Sequence, residues 1–522
     1  MSRPSTVERR RAVVMRESSL PATATATATA PLVDGARTGW ASAHFVGDHS
    51  PPAPLTWGQR ALWMATERHG PGYVMLSLRR TLSVPRRASA DAASVLRSVG
   101  ALIGRHSSLR TRMPVVDGER CQVVADSGEL PVLLVHATAN ADTTYVDQAA
   151  NDVNANDVDV NANANDVAEA RSTGDDGAAL ARTVAERLAQ RQFDHAHEWP
   201  QRVALVLVAG KVRQVVIVFS HTTVDFQAVE IVLRDLRLLL LRGSIPTPAG
   251  PQSTDIARRE QDDDQRRRGE RALDHWVGSF GRLPSDTLPR LGPPLTPRFH
   301  RAVLASVAAD TAIRLIADRH RVTSSTVLVA ATAVVAATWS GKEVIGIHTM
   351  AGNRAMAGYR DAVAKLNQLG LLVVDLGDRP DFADLLTRVW QDSVRAYRHA
   401  YYDPTRLRQA FQEAGYPYAV GVNPHVYLND IRLSTDTDLF GRATGEAEVR
   451  ATMADTSLTW TPGLDAFTWR TRIEVIDQPG AVGFGLTADT AHLPPYAIER
   501  FLRDLERLLV DAAFTDVRWP WR

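Results

Sequence analysis

The sequence predicts a mixed α/β (α+β) chain of two domains, and three observations carry that expectation. A length of 522 residues exceeds what one ordinary hydrophobic core organises. Residues 203–208 and 215–219 are nearly continuous apolar runs, the pattern of central strands covered on both faces. Helical and strand-like segments recur through both halves without the strict strand–helix alternation of a doubly wound sheet.

Composition narrows the function classes. Hydrophobic residues at 44% and charged residues at 23% are those of a globular protein. Sixty Lys and Arg nearly balance 59 Asp and Glu, which argues against a broad nucleic-acid or membrane-surface footprint. The single cysteine, Cys121, excludes an intramolecular disulfide and a multi-cysteine zinc site and fits a reducing compartment. The longest apolar block, 327–339, carries Thr332 and Thr338 and is too short to span a bilayer. The start, with Arg9-Arg10-Arg11 before Ala12-Val13-Val14-Met15, lacks the apolar core of a signal peptide; its Arg, Ser and Thr content leaves a transit peptide as the alternative to a cytoplasmic protein.

Residues 1–50, with an alternating Thr-Ala tract at 22–30 and few large apolar groups, are expected to be a disordered extension. An N-terminal domain follows over 51–250. Its first helix opens at Leu55-Thr56-Trp57-Gly58-Gln59-Arg60-Ala61-Leu62-Trp63, and a second covers 91–105. Strands at 111–116 and 120–124 flank an Asp117-Gly118 turn, and another runs over 130–135. The Asn, Asp, Ala and Val patchwork of 139–177 reads as a low-complexity insertion in a surface loop, tolerated because loop-closure cost grows slowly with length. A helix over 178–192 precedes the two apolar strands. The second strand breaks off at Ser220-His221-Thr222-Thr223-Val224-Asp225-Phe226. The next segment, 227–241, places Val229, Val232, Leu233, Leu236 and Leu240 on one helical stripe, with Glu230, Arg234 and Arg237 off it.

The Pro-, Gly- and charge-rich stretch 243–265 reads as a linker, and the C-terminal domain covers 266–522. It is expected to carry a strand over 299–307, helices over 309–320 and 324–339, and a strand over 343–347 leading into Met350-Ala351-Gly352-Asn353-Arg354. A strand over 371–375, a helix over 382–398, strand-like runs at 418–422, 426–428, 467–476 and 483–487, and a helix over 495–514 complete it.

The order of these motifs resembles that of the condensation domains of nonribosomal peptide synthetases and their free-standing relatives, which share the fold of chloramphenicol acetyltransferase. The helix at 55–63 is similar to the family's first motif. Arg105-His106-Ser107-Ser108-Leu109-Arg110-Thr111 fits RHxxLRT at every fixed position, and Ser220 to Phe226 aligns with HHxxxDG. Val344-Ile345-Gly346 through Gly352-Asn353-Arg354 resembles VGxPxxxR with His348 in place of proline, and Leu366-Asn367-Gln368-Leu369-Gly370 falls loosely where the family has Gly-Phe-Phe-Val-Asn. The resemblance implies two acetyltransferase-like subdomains in a V-shaped pseudo-dimer with a central tunnel. It places His221 at the catalytic centre, Asp225 as a structural partner of Arg354, and Ser220, Thr222 and Phe226 in the tunnel lining. Ser220 stands where the family has its first histidine, and Phe226 where it has glycine.

What this implies is a stand-alone acyltransferase. It would join a thioester, on an acyl or peptidyl carrier protein's phosphopantetheine or on coenzyme A, to a small amine or alcohol, in secondary-metabolite biosynthesis. A catalytically degenerate domain that binds a carrier protein or recruits a tailoring enzyme is the alternative. A near-neutral histidine suits the proton handling. Thioesters are already activated, so positioning could supply much of the acceleration. Neither metal nor cofactor is expected, nor nucleic acid or membrane partners, and the chain is expected to be a monomer. Read without the family pattern, His221 could be a satisfied strand-end histidine and Asp225 the N-cap of its helix. His195-Ala196-His197-Glu198 has metal-like composition but no third ligand set nearby. Arg105, His106 and Arg110 could form an anion clamp or a helix-to-strand corner.

Overall fold

The computed structural model describes residues 36–69, 77–137, 177–416, 422–432 and 444–518. The first half contains strands β1 (Arg37–Val46), β2 (Ala53–Pro54), β3 (Ser77–Ser83), β4 (Thr111–Arg112), β5 (Val115–Val116), β6 (Glu119–Val124), β7 (Ser127–His136), β8 (Gln201–Val208) and β9 (Lys211–Ser220). Five of these form one sheet in the order β1-β7-β8-β9-β3, with β7 and β8 parallel and the other neighbours antiparallel. The apolar runs at 203–208 and 215–219 are thus its third and fourth strands. Val203, Leu205, Val215, Ile217 and Phe219 face one core, with helices Ala92–Arg105 and Phe226–Arg242. Ala204, Val206 and Val216 face a second core, with helix Ala178–Ala189. This two-sided burial explains why neither strand alternates polar with apolar residues.

The second half holds β10 (Phe299–Ser306), β11 (Val344–Ala351), β12 (Gln368–Asp375), β13 (Asn423–Asp430), β14 (Ser457–Leu464), β15 (Trp469–Gln478) and β16 (Ala481–Asp489). They make a seven-stranded sheet in the order β12-β11-β13-β15-β16-β10-β14. Helices Val307–His320, Ser324–Ser340, Phe382–Arg398 and Pro495–Phe514 share one core with it. Helices Asp263–Phe280 and Pro404–Glu413 pack in another. Among the described residues no single helix is long and apolar enough to cross a membrane; a bent pair, Val307–His320 with Ser324–Ser340, passes that test jointly, and its residues lie within the core.

Several boundaries differ from the sequence reading, for physical reasons. β1 falls inside the stretch 1–50 expected to be disordered, yet it pairs with β7 along its whole length, from Arg37 opposite His136 to Val46 opposite Ser127. It buries only Ala43 and Phe45, so an edge strand with one covered face needs no long apolar run. β3 and β14 escape the sequence reading in the same way, each at a sheet edge. The expected strand over 111–116 is two short ones separated at Met113 and Pro114, where proline has no N–H to offer. The stretch 243–265 is not a bare linker: helix Ser253–Arg259 buries Ser253, Thr254, Ile256 and Ala257, and helix Asp263–Phe280 begins inside it. Residues 1–35, all but the last residue of the 139–177 insertion, and 418–421 of an expected strand lie outside the described residues.

The halves meet along an apolar seam. Trp57 and Ile256 pack with Met356, Tyr359, Ala362, Leu366 and Tyr401, while Val363 belongs to the first half's main core. The Ser108 hydroxyl donates to the Val363 carbonyl at 2.6 Å, and the Thr56 hydroxyl to that of Lys365 at 3.3 Å. A Cβ at Gly58 would lie 2.3 Å from the Lys365 carbonyl oxygen, so the backbones touch there only because residue 58 has no side chain.

Candidate active site

β9 ends at Ser220, and helix Phe226–Arg242 begins six residues later. The intervening turn is held from inside. The Thr223 backbone N–H and hydroxyl both donate to the Ser220 carbonyl, at 3.3 and 3.2 Å. The Ser220 hydroxyl lies 2.7 Å from that of Thr222 and 2.9 Å from Nε2 of His195. His195 therefore braces the turn from below. It sits 25 residues upstream, and only the sheet brings it there.

His221 projects from this turn, half-buried. Its Nδ1 is 2.8 Å from the Val224 carbonyl. A carbonyl can only accept, so Nδ1 carries the proton and the Nε2 lone pair stays available. Burial pushes the imidazole pKa down to about 4, and the nearby Lys365 charge acts in the same direction; the Val224 carbonyl and Asp225 oppose them.

Asp225 is fully enclosed and does two things at once. Its Oδ1 caps the helix by accepting from the Ala228 N–H at 2.9 Å. It also pairs with Arg354 of the second half: Nη2 lies 2.7 Å from Oδ1, and Nη1 donates to Oδ2 at 2.8 Å. The Leu366 and Asn367 amides add bonds to Oδ2 at 3.0 and 3.2 Å. Burial raises this carboxyl's pKa, but Arg354, the hydrogen bonds and Lys365 outweigh it and hold it below the usual range. Arg354 in turn donates to the Gly352 carbonyl at 3.3 Å and the Ala362 carbonyl at 3.2 Å. Asn353, in the left-handed region at φ 57°, bonds the carbonyls of Leu366 and Ala400. The chain from 352 to 367 is thereby stitched to the start of helix Phe226–Arg242.

Lys365 is a component the sequence reading missed. It is 3% exposed and its amine donates to the Asn367 carbonyl at 3.0 Å and to Asn367 Oδ1. Burial pushes its pKa down to about 8, with Arg354 acting alongside and Asp225 against. A charged residue inside the run Ala362-Val363-Ala364-Lys365-Leu366 is the signal that could have marked it.

Beside this group lies a cavity of about 480 Å³, lined by Lys365, Asn367 and Gln368, by Ala61 and Leu62 of the first half's opening helix, by Arg408, and by a mostly apolar wall that includes Trp469. Ser220, His221, Thr222 and Phe226 are not in its wall. The Phe226 ring instead lies under the Arg80 guanidinium of β3, 4.6 Å from centroid to carbon, and Arg80 also bonds Glu230 at 3.2 Å. His348 is fully buried beside Trp276, His425 and Trp469, and burial keeps its pKa well below the usual value.

The remaining candidates are engaged elsewhere. Arg105 and His106 both bond Asp235 Oδ2 at 3.0 Å, and Arg110 donates to the Ala125 and Asp48 carbonyls, so the RHxxLRT segment is a corner fixed from within. His197 bonds Asp194 while His195 serves Ser220, and among the described residues no group of three His, Cys, Asp or Glu is placed to hold a metal ion.

Residues 153–417 match the condensation domain family profile. The chain belongs to the condensation domain family. It is 27% identical over 360 residues to the phosphinothricin tripeptide synthetase PhsC of Streptomyces viridochromogenes, which covers 67% of this chain and 30% of that protein. It thus spans less than a third of the length of such curated relatives. The condensation domain of the Monacolin K polyketide synthase MokA superposes with a TM-score of 0.63 at 16% identity, over 90% of this chain and 98% of that one. The X-domain from teicoplanin biosynthesis does so at 0.60 and 17%, over 91% and 98%. These likenesses are of fold, and the mixed α/β, chloramphenicol acetyltransferase-like architecture is that of condensation domains.

Proposed function

We propose that this condensation domain is an acyltransferase that forms an amide or ester from an acyl thioester and an amine or alcohol. The observation that carries the reading is His221: its Nδ1 proton is committed to Val224, its Nε2 is free, and its turn is clamped to the second half through Asp225 and Arg354. In the proposed step the acceptor nitrogen or oxygen attacks the thioester carbonyl and the C–S bond breaks. The acceptor's proton passes by way of Nε2 to the departing sulfur, giving the acylated product and a free thiol. With a pKa of about 4 the imidazole is neutral at physiological pH. So weak a base does not store the proton; it orients the acceptor by accepting a hydrogen bond and passes the proton on. The donor is a phosphopantetheine thioester on a carrier protein, or coenzyme A.

The test is product mass spectrometry after incubation with acyl-carrier and acyl-coenzyme A thioesters and a panel of amines and alcohols. His221→Ala is expected to lower turnover by about 10²–10⁴-fold with an unchanged unfolding midpoint. Equal product from wild type and variant rejects the proposal. A second reading, a domain that binds a carrier protein without catalysis, is favoured by one observation: the cavity wall reaches Lys365 and Asn367 but does not include His221. Carrier-protein binding without product from either protein selects it.

A further inference from the structure

Lys365 presents a charge-balance problem that the chemistry above leaves unsolved. Its amine is buried, and a buried ammonium normally keeps a carboxylate beside it or gives up its proton. Among the described residues the carboxylate that acts on it is Asp225, and that group is fully used: Arg354 holds it at two points, and three backbone amides share its oxygens. Among the described residues no carboxylate forms an ion pair with Lys365. With His221 neutral, Asp225 negative and Arg354 positive, Lys365 leaves the cluster one positive charge in excess. The amine has three N–H donors, and the Asn367 carbonyl and side-chain oxygen take two. Both Lys365 and Asn367 lie in the wall of the 480 Å³ cavity, which Arg408, His425 and Asn423 also line and whose remaining surface is mostly aliphatic and aromatic.

We infer that the cavity receives a substrate portion bearing a carboxylate, which Lys365 selects through its remaining N–H while the aromatic and aliphatic walls enclose the rest. This rests on the acyltransferase reading and adds a substrate class to it: an acidic acyl group on the donor, or an acidic side chain or terminus on the acceptor. Lys365 is then a specificity-determining residue.

Calorimetric titration of the full chain with two isosteric pairs tests this. The donor pair is glutaryl N-acetylcysteamine thioester and its neutral terminal amide; the acceptor pair is L-glutamate and L-glutamine. The charged member of one pair is expected to bind about tenfold more tightly, the worth of one charge-assisted hydrogen bond, and the responding pair says which substrate carries the acid. Lys365→Met is expected to bring that ratio to about one while leaving the neutral member's affinity within about threefold. Should that variant fold poorly, wild type alone suffices: its preference should fade as pH rises through about 8, where the amine loses its proton. The groups acting on the amine are His221, Asp225 and Arg354, and Arg408 and His425 share its cavity wall; both histidines titrate far below that window and Asp225 is held low by Arg354. No preference in wild type for either pair, or a preference that survives both Lys365→Met and high pH, overturns the inference. Binding is measured without turnover and can be repeated in His221→Ala. Absent condensation therefore counts against the acyltransferase reading alone, and equal affinities within both pairs count against the carboxylate alone.

Discussion

Arg354 reaches across the seam to grip Asp225 at two points, 2.7 Å from Nη2 to Oδ1 and 2.8 Å from Nη1 to Oδ2, and the same carboxylate caps the helix that follows His221. One side chain therefore fixes the turn that carries His221, starts its helix and joins the two halves.

Removing Arg354 alone should be costly, because it strands a buried carboxylate. Arg354→Met is expected to destabilise the fold by about 3–5 kcal/mol in urea unfolding. Asp225→Asn separates the roles: it keeps a capping oxygen for Ala228 but gives up the charge. The Asp225→Asn/Arg354→Met double variant should cost clearly less than the two singles summed, and additive losses would show that the pair is not coupled.

The depressed pKa of His221 sets a pH signature. An unfolded histidine takes up its proton near 6.5, whereas this one does so near 4. Below pH 6.5 the unfolded chain binds more protons than the folded one, so this group lowers stability as pH falls from 6.5 toward 4. His221→Gln should flatten the stability–pH slope in that window. In activity, kcat/KM should show no acid limb near 6.5 that disappears when this residue is replaced.

Glu260 should act in the opposite sense. It is 1% exposed, and burial pushes its pKa up to about 8 against its bonds from the Tyr401 hydroxyl and the Trp57 amide. Between about 4.5 and 8 the folded protein binds the extra proton, so stability falls as pH rises through that interval. Glu260→Gln is expected to remove much of that slope, read as Tm across pH 5 to 8.5; an unchanged slope would assign it to other groups.

Phe226 and Ala65 should separate the turn from the cavity. Phe226→Ala loses the stack on Arg80, worth about 1 kcal/mol, and should leave the affinity for neutral cavity ligands unchanged. Ala65→Trp projects bulk from the opening helix into the cavity wall and should weaken that binding by more than about tenfold with little loss of stability.

How much of this is legible in the sequence depends on how local the signal is. The stripe Val229, Val232, Leu233, Leu236 and Leu240 is buried in the helix, as its 3.6-residue spacing indicates, and the closing helix spans Pro495–Phe514. Strands with two covered faces, β8 and β9, announce themselves by continuous apolar runs; β1, β3 and β14 lie at sheet edges, carry no such run and do not. Motif order points to Asp225 and Arg354, but the amides of Ala228, Leu366 and Asn367 that share the carboxylate come together only in three dimensions. No spacing rule connects His195 to Ser220. Nor does anything local say that Lys365 faces a cavity, though its charge amid apolar neighbours is a mark that could have been followed.

The contact of Gly58 with the Lys365 carbonyl bears on how such proteins can be recombined. Where two lobes meet through side chains, a chimaera can be tuned by trimming or enlarging them. Here main chain rests on main chain with no side-chain atom between, so a graft whose loop is displaced has nothing to shave. The transferable module is one lobe together with the strip of the other that it touches, from residue 352 to 367, and an exchange drawn at the nominal domain boundary would cut through it.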